Sequence, residues 1–465
     1  MDYEVVVIGG GIGGLTAAAL LATRGVNVCL LERQSLVGGC LANIEHLGYQ
    51  FEPTYGLYLG WEPNGIFARI FSELPVAPPR VHRLSPAYVV RLPDGIDVAV
   101  SDDSNAFEDQ LRKSFPESAE ATVEFYRQLV QHEVRSSRWN SSNRDLTRIL
   151  QSCSLRFRRF IDIQLQTFAQ CSSENCPADL AALALNPHDG RWEIEGGGQA
   201  LADSLAESLM QSGGTLRLDS PVLRLAYGPE GSAVGVDLLS GERVIATRGI
   251  ISNLTVWDTY GKLIGPSRTP PTISSQLRKL QSPGAYLLLL DMDREAVSRL
   301  PSRRILALTD LQDDQPYDPK TAQLVFNAAS DLDRRAPQNK LAVTVSAFTN
   351  AEDWFSFHED HNTHAEQDQK MLEQIWSRLH SAIPELRDSV EVIESATPQS
   401  FYETTRRKFG MIGRPHSEQA MLNGLSKTHL SNVFIVTDTT SSGLGIAGVV
   451  ESAHVLTSII DKISA

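Results

Sequence analysis

A strand, a glycine-rich turn and a helix succeed one another at the start of the chain, and this unit constrains the fold most. The β-branched run at residues 5–8 predicts a buried strand, and the Ala- and Leu-rich residues 15–23 predict a helix. Gly9, Gly11 and Gly14 lie between them in the spacing G-x-G-x-x-G. In a dinucleotide-binding fold, these glycines allow a tight turn, a close backbone approach to pyrophosphate, and close packing of the helix on the strand.

The residues that follow strengthen this prediction. A second apolar run at residues 26–31 ends in Glu32, which lies 18 positions after Gly14. An acid about 20 residues beyond the glycines binds the ribose hydroxyls in such folds, and the free N–H groups at the helix start bind phosphate. The strand, the helix and the spaced acid together predict a dinucleotide site, with NAD and FAD both still open.

Composition limits the classes of function. The 465 residues suffice for about two or three domains. The net charge of −14, from 42 basic and 56 acidic residues, disfavours nucleic acid and anionic lipid as partners. Neither a signal peptide nor an apolar stretch of membrane-spanning length is recognisable, so the expected location is cytoplasmic or peripherally membrane-associated. No metal site is expected, and Cys171 and Cys176 are expected to be free thiols rather than a redox pair.

Two further glycine segments favour FAD over NAD. Gly38-Gly39 follows Glu32 closely and suits a second backbone contact with a cofactor phosphate. A strand predicted at residues 432–438 leads to Gly443, Gly445 and Gly448 and then to a helix. A glycine turn at that helix start suits the pyrimidine side of a flavin, because backbone N–H groups and the helix dipole stabilise negative charge there. NAD enzymes have no need for this second turn.

These motifs resemble those of FAD-dependent phytoene desaturases and carotenoid isomerases, within the amine-oxidase-like flavoproteins. In that family the first unit is followed by E-R, G-G and G-Y-x-F-D. The corresponding segments here are Glu32-Arg33, Gly38-Gly39 and residues 48–52, with Glu52 in place of Asp. The later family motif T-x-P-G-x-G-x-x-G corresponds to residues 440–448, with Ser442 in place of Pro.

The resemblance implies FAD, and the binding is expected to be non-covalent because no attachment His or Cys is recognisable beside the ring segment. Val222 matches the family residue whose backbone meets the adenine, and the turn at Pro53, Thr54 and Tyr55 could face the flavin ring. Glu52, Tyr55 and His416 are candidates for a catalytic base by residue type only. The residues expected to contact the cofactor are Gly9, Gly11, Gly13, Gly14, Glu32, Arg33, Gly38, Gly39, Pro53, Thr54, Val222, Asp438, Gly445, Ile446 and Ala447.

The predicted fold is α/β, with a Rossmann-like FAD-binding domain interlaced with a mixed α+β substrate domain. The first is expected at residues 1–80, 186–256 and 425–465, and the second at residues 81–185 and 257–424. Residues 146–169 predict one long helix that packs in the core, with an amphipathic surface that contacts a membrane or lines an apolar entrance as the alternative. Chain crossings between the two domains would leave a cleft, where ligand pockets are common.

The expected function is an FAD-dependent oxidoreductase that desaturates, saturates or isomerises C–C bonds of an apolar substrate, such as a carotenoid or retinoid. An amine or amino-acid-type oxidase is the alternative, because Arg406, Arg407 and Lys408 lie in the matched substrate segment. A non-enzymatic FAD-binding protein is a third hypothesis. The partner is an apolar small molecule, while the electron acceptor and the oligomeric state stay open.

Overall fold

A computed structural model describes residues 2–135, 144–311, 315–330, 333–355, 361–414, 428–441 and 443–462. The strands in this part of the chain are β1 Asp2–Ile8, β2 Val28–Leu31, β3 Ile44–His46, β4 Tyr49–Phe51, β5 Val81–Arg83, β6 Tyr88–Arg91, β7 Asp97–Val100, β8 Trp192–Ile194, β9 Thr215–Arg217, β10 Val222–Tyr227, β11 Ala233–Leu238, β12 Arg243–Ser252, β13 Gly284–Asp293, β14 Arg304–Leu308, β15 Gln323–Ala328, β16 Lys340–Thr349, β17 Val390–Ala396 and β18 Val433–Ile435.

The α-helices of the same residues join these strands. They are α1 Ile12–Thr23, α2 Ile66–Glu73, α3 Ser104–Ser114, α4 Ala119–Arg135, α5 Arg144–Ser152, α6 Leu155–Ala169, α7 Ala178–Leu185, α8 Gly197–Gln211, α9 Val256–Asp258, α10 Pro271–Lys279, α11 Pro319–Ala322, α12 His361–Ala382, α13 Pro398–Thr405 and α14 Gly445–Lys462. No helix of the described residues has the length and apolar character needed to cross a membrane.

The first sheet is built around β1. Its strand order is β10-β11-β12-β1-β2-β9, and β18 also pairs with β12. The strands β18, β12, β1, β2 and β9 are parallel, whereas β11 runs antiparallel to both β10 and β12. Residues 5–7 are fully buried. Val5 and Val7 pack with helices α1, α8 and α14 in one core, and Val6 packs in a second core with residues of β2, β11 and β12. A continuous apolar run is what a strand covered on both faces requires.

The second sheet has the order β17-β13-β16-β15-β14-β6-β7. Its neighbours are antiparallel except for β14 and β6. Helix α12 packs on one face, and helices α3 to α7 build a larger core with β6, β7, β14 and β15. Strands β6 and β7 form a hairpin that turns around residues 93–95.

The chain passes repeatedly between the two sheets. The first sheet uses strands from residues 2–31, 215–252 and 433–435, and the second uses strands from residues 88–100 and 284–396. This arrangement confirms the predicted α/β fold with a Rossmann-like part interlaced with a mixed α+β part. The domain bounds given above remain a prediction.

One predicted element differs from the structure. Residues 146–169 belong to two helices, since α5 ends at Ser152 and α6 begins at Leu155. Ser154 is the N-cap of α6, and its hydroxyl accepts a hydrogen bond from the Phe157 N–H at 3.2 Å. Phe157, Phe160 and Ile161 are fully buried in the protein core. The apolar side of α6 therefore packs inside the protein, as expected.

Candidate active site

The first glycine turn is closely packed on every side. Gly9 has a φ of +98°, and a Cβ at Gly14 would lie 2.1 Å from the Gly9 carbonyl oxygen. A Cβ at Gly11 would lie 2.5 Å from Oδ1 of Asn253, whose Nδ2 donates to the Val436 carbonyl at 2.6 Å. Side chains at these positions would therefore displace the helix or the Asn253 bridge. Asn253 was not predicted as a site residue, since only the pairing of β12 with β1 brings it here.

Glu32 folds back onto the same turn. Its carboxylate accepts hydrogen bonds from the N–H groups of Gly10 at 2.6 Å and Gln34 at 2.7 Å. The Gly38 N–H donates to the Gly10 carbonyl at 2.8 Å, and Gly39 has a φ of +58°. Glu32 and the pair Gly38-Gly39 therefore both lie against the first glycine turn, as the sequence motifs predict.

A cavity of about 1010 Å³ opens beside this turn. It reaches from the segment at residues 220–223 to Asp438 and the start of α14. Its size is at the upper end of the ~300–1,000 Å³ that small-molecule sites enclose, which suits an extended dinucleotide. Ten of the expected cofactor residues line it, namely Gly9, Gly11, Glu32, Arg33, Gly38, Gly39, Val222, Asp438, Gly445 and Ile446.

The end of α13 and the residue after it, residues 403–406, line this cavity and are held in place by two cations. The Arg33 guanidinium donates to the carbonyl groups of Glu403 at 3.2 Å and Thr404 at 2.5 Å. From another side, Lys262 Nζ donates to the Arg406 carbonyl at 3.3 Å. Cations are favourable beside the last carbonyls of a helix. These contacts hold residues 403–406 as one wall of the cavity.

Arg407 and Asp438 form a bidentate ion pair inside the cavity, with N–O distances of 3.1 and 2.9 Å. Burial lowers the pKa of Arg407, but Asp438, together with Cys40 and Asp258, raises that pKa above its ordinary value. Arg406 lies over the Tyr402 ring and Lys408 over the Trp257 ring. Arg406, Arg407 and Lys408, the three cations that supported the hypothesis of an amine or amino-acid oxidase, therefore each interact with other side chains of the protein.

A second cavity of about 250 Å³ adjoins the first. Its walls come from the segment at residues 53–59, the end of α6, and the central strands of the second sheet. The expected residues Pro53, Thr54, Tyr55 and Ala447 line this smaller cavity rather than the larger one. The residues common to both cavities are Cys40, Leu41, Gly413, Asp438, Gly445 and Ile446.

Glu52 lies outside both linings. Its carboxylate is 4% exposed and pairs with Arg335 at 3.2 Å, while the Thr54 hydroxyl donates to it at 2.9 Å and the Tyr58 hydroxyl donates to it as well. Burial alone would raise its pKa, but Arg335, Tyr58 and Arg304 together hold the pKa below its ordinary value. An ionised, fully paired carboxylate suits a positioning residue for the 53–59 segment better than a base.

The remaining candidates lie elsewhere. Gly13 and Gly14 belong to α1 and pack against its surroundings instead of lining a cavity. His416 and Ser442 lie outside the described residues. Within the described ranges, no group of three or more His, Cys, Asp or Glu side chains could hold a metal ion.

Comparisons with known proteins agree with this geometry. Residues 12–454 match the family described as flavin containing amine oxidoreductase. Prolycopene isomerase 2, a chloroplastic protein of an Oncidium hybrid cultivar, is 25% identical over 490 residues that cover 96% of this chain and 82% of the isomerase. A 4,4'-diapophytoene desaturase (4,4'-diapolycopene-forming) of Methylomonas sp is 24% identical over 512 residues that cover 99% and 95% of the two chains.

The fold is also that of solved oxidoreductases. The crystal structure of an oxidoreductase from Methanosarcina mazei superposes with a TM-score of 0.70 at 18% identity, covering 98% of this chain and 100% of the other. The glycine cradle, Glu32 and the long cavity fit the cofactor that the family description names. The chain therefore belongs to the family of flavin-containing amine oxidoreductases and is an FAD-dependent enzyme.

Proposed function

We propose that the enzyme desaturates, saturates or isomerises C–C bonds of an apolar unsaturated substrate of the carotenoid or retinoid type. The observation that carries this proposal is the smaller cavity, which adjoins the FAD cavity and has mostly apolar walls, including Leu57, Leu59, Leu287 and Phe348. Such walls exclude water and bind hydrocarbon through the hydrophobic effect. The activities named for the two relatives support the same class of substrate.

The residues of the chain supply binding and position, while bound FAD supplies the two-electron chemistry. The larger cavity orients FAD through the glycine turns and Glu32. Residues 53–59 hold the substrate on one side, anchored by Glu52 beneath them. At about 250 Å³, the smaller cavity is below the ~300–1,000 Å³ typical of ligand sites. We therefore propose that a long polyene inserts only its reacting segment.

An amine or amino-acid-type oxidase is the second candidate. The family description supports it, and so does Arg414, a cation that lines the smaller cavity. Burial lowers the pKa of Arg414. A carboxylate bound there would be a charged ligand in a largely apolar cavity, and its transfer out of water is costly even beside a cation.

The test is an anaerobic incubation with polyenes, once with oxidised FAD and once with pre-reduced FAD. Bleaching of the oxidised flavin, with a product two hydrogens lighter, would support desaturation. Conversion only with reduced flavin would support isomerisation if the mass is unchanged, and saturation if the product is two hydrogens heavier. If polyenes do nothing and primary or secondary amines bleach the flavin, the amine-oxidase candidate replaces the first.

We further propose that the enzyme collects its substrate at a membrane surface, because an apolar polyene partitions into lipid. The net charge of −14 favours neutral over anionic lipid. Flotation with neutral liposomes should carry part of the protein upward. Complete absence of the protein from the floating fraction would contradict the membrane contact and leave the catalytic proposal intact.

A further inference from the structure

Two hydroxyl groups of the smaller cavity make no hydrogen bond within the described part of the chain. They belong to Tyr55 and Ser346, and both residues line this cavity. Neither hydroxyl oxygen is fully enclosed by protein atoms, and both residues line the cavity, so we infer that the hydroxyls can reach a bound ligand.

The other hydroxyl-bearing side chains of this lining are already engaged. Thr54 and Tyr58 donate to Glu52, and Thr167 donates to the Ile163 carbonyl at 2.7 Å. Ser441 accepts a hydrogen bond from the Gly443 N–H at 3.3 Å. Among the hydroxyl-bearing residues of this lining, Tyr55 and Ser346 are therefore the two whose side chains have no hydrogen-bond partner in the described part of the chain.

Both hydroxyl-bearing residues belong to one wall. The segment that carries Tyr55 is tied to the second sheet, since the Thr344 hydroxyl donates to the Glu52 carbonyl at 3.0 Å and Asn327 donates to the Thr54 carbonyl at 2.9 Å. Ser346 follows Thr344 by two positions on β16, so its side chain is on the same face of the sheet. Burial raises the pKa of Tyr55, and the phenol therefore keeps its proton and remains a donor.

An available hydroxyl in an apolar cavity is costly unless a bound group satisfies it. A hydrocarbon would leave both hydroxyls unpaired, whereas a ligand oxygen would accept a hydrogen bond from each. We propose that the substrate of the smaller cavity carries an oxygen group, either hydroxyl or carbonyl, that is bound by Tyr55 and Ser346. This inference rests on the proposed function and narrows its substrate class to oxygenated polyenes.

The test compares retinol with its deoxy hydrocarbon, which has the same chain without the oxygen. Dissociation constants are measured by ligand fluorescence on FAD-loaded wild type, Tyr55→Phe and Ser346→Ala. Each substitution should weaken retinol binding about three- to tenfold, the range for one lost hydrogen bond, and should leave hydrocarbon binding unchanged or tighter. Tyr88→Phe is the matched control, because the Tyr88 hydroxyl donates to Gln164 and lies outside the cavity lining.

The outcomes separate this inference from the function on which it rests. The wild type would bind both ligands equally if trapped water satisfied the two hydroxyl groups. That result would overturn the oxygen-binding role and leave the polyene proposal intact. Equal losses for both ligands in the two variants would also overturn it. If neither ligand binds, both proposals fail. Thermal melts of each variant show whether a loss of affinity reflects loss of the fold.

Discussion

At the scale of single residues, Glu32 joins the glycine turn to the predicted ribose site. Its carboxylate accepts two backbone N–H groups and lines the larger cavity. We expect Glu32→Ala to raise the dissociation constant of FAD at least tenfold, because each hydrogen bond to a charged acceptor contributes about 1.5–3 kcal/mol. The flavin-to-protein absorbance ratio after gel filtration and a calorimetric titration measure this effect.

Glu4→Ala is the control for this prediction. Glu4 also accepts a backbone N–H, from Asn27 at 2.9 Å, but it lies outside the lining of the cavity. The Glu4→Ala variant should therefore keep its flavin. Full flavin retention in Glu32→Ala would contradict the ribose-binding role of Glu32.

Glu52 has a pH-dependent effect on stability. Its pKa in the folded protein is below the ordinary value, so its contribution is fully present above the unfolded pKa of about 4.3. The contribution is lost as the pH falls through the lower folded value. Glu52→Gln should cost about 3–5 kcal/mol of unfolding free energy at pH 7, the range for breaking a buried pair, and less in acid. Urea unfolding at pH 7 and at about pH 3.5 checks both parts.

The exposed Glu45 provides the matched control, since Glu45→Gln should change stability little at either pH. A loss of stability in Glu52→Gln that is the same at both pH values would contradict the ionised state of Glu52. It would assign the loss to packing instead.

At the scale of elements, α1 must lie directly against the turn that precedes it. A Cβ at Gly14 would lie 2.1 Å from the Gly9 carbonyl, which is a backbone atom and cannot rotate away. Gly14→Ala should therefore cost about 1–3 kcal/mol or more through overpacking and should lower flavin content. Gly261→Ala is the control, because that glycine is also in a helical segment but has open space around it. Equal melting temperatures for the two variants would contradict the close contact.

The elements also show what could be predicted from the sequence. The first unit and Glu32 were predictable because their contacts depend on spacings within about 30 residues. Asn253 and Arg335 were not. Asn253 reaches the glycine turn through the pairing of β12 with β1, and Arg335, between β15 and β16, reaches Glu52 across 283 positions of sequence, which no local pattern encodes. The break between α5 and α6 did carry a local signal, the N-cap Ser154. Ser346 carried none, because a serine in an apolar strand shows its role only when the cavity is known.

At the scale of the whole molecule, FAD should stabilise the fold by binding between segments that are far apart in sequence. At a free concentration about 100 times the dissociation constant, the gain is ~2.7 kcal/mol, which corresponds to a rise of roughly 2–5 °C in melting temperature. Differential scanning fluorimetry of the apoprotein with and without FAD measures this rise. A melting temperature independent of FAD would contradict a cofactor-bridged structure.

The purified holoprotein also tests whether FAD is bound without a covalent bond. Acid precipitation of the yellow holoprotein should leave FAD in the supernatant and a colourless pellet. Cys40 lines both cavities, so Cys40→Ser is the informative variant if the pellet stays yellow. Retained colour in the wild type that disappears in Cys40→Ser would replace non-covalent binding by a thioether link.

The lining of the larger cavity, where we propose that FAD binds, is distributed along the chain in a way that has a consequence for biosynthesis. Its walls come from residues 8–44, from residues 220–263 and from residues 403–449. Translation delivers about 5–20 residues per second, so the first glycine turn leaves the ribosome well before Asp438 and Gly445. A chain interrupted before residues 403–449 are made lacks one of the three groups of residues that line the proposed FAD cavity, so we expect the complete cavity only in a finished chain. We expect the supply of FAD to act on these completed chains, because a ligand that binds the folded state shifts the folding equilibrium toward it by mass action.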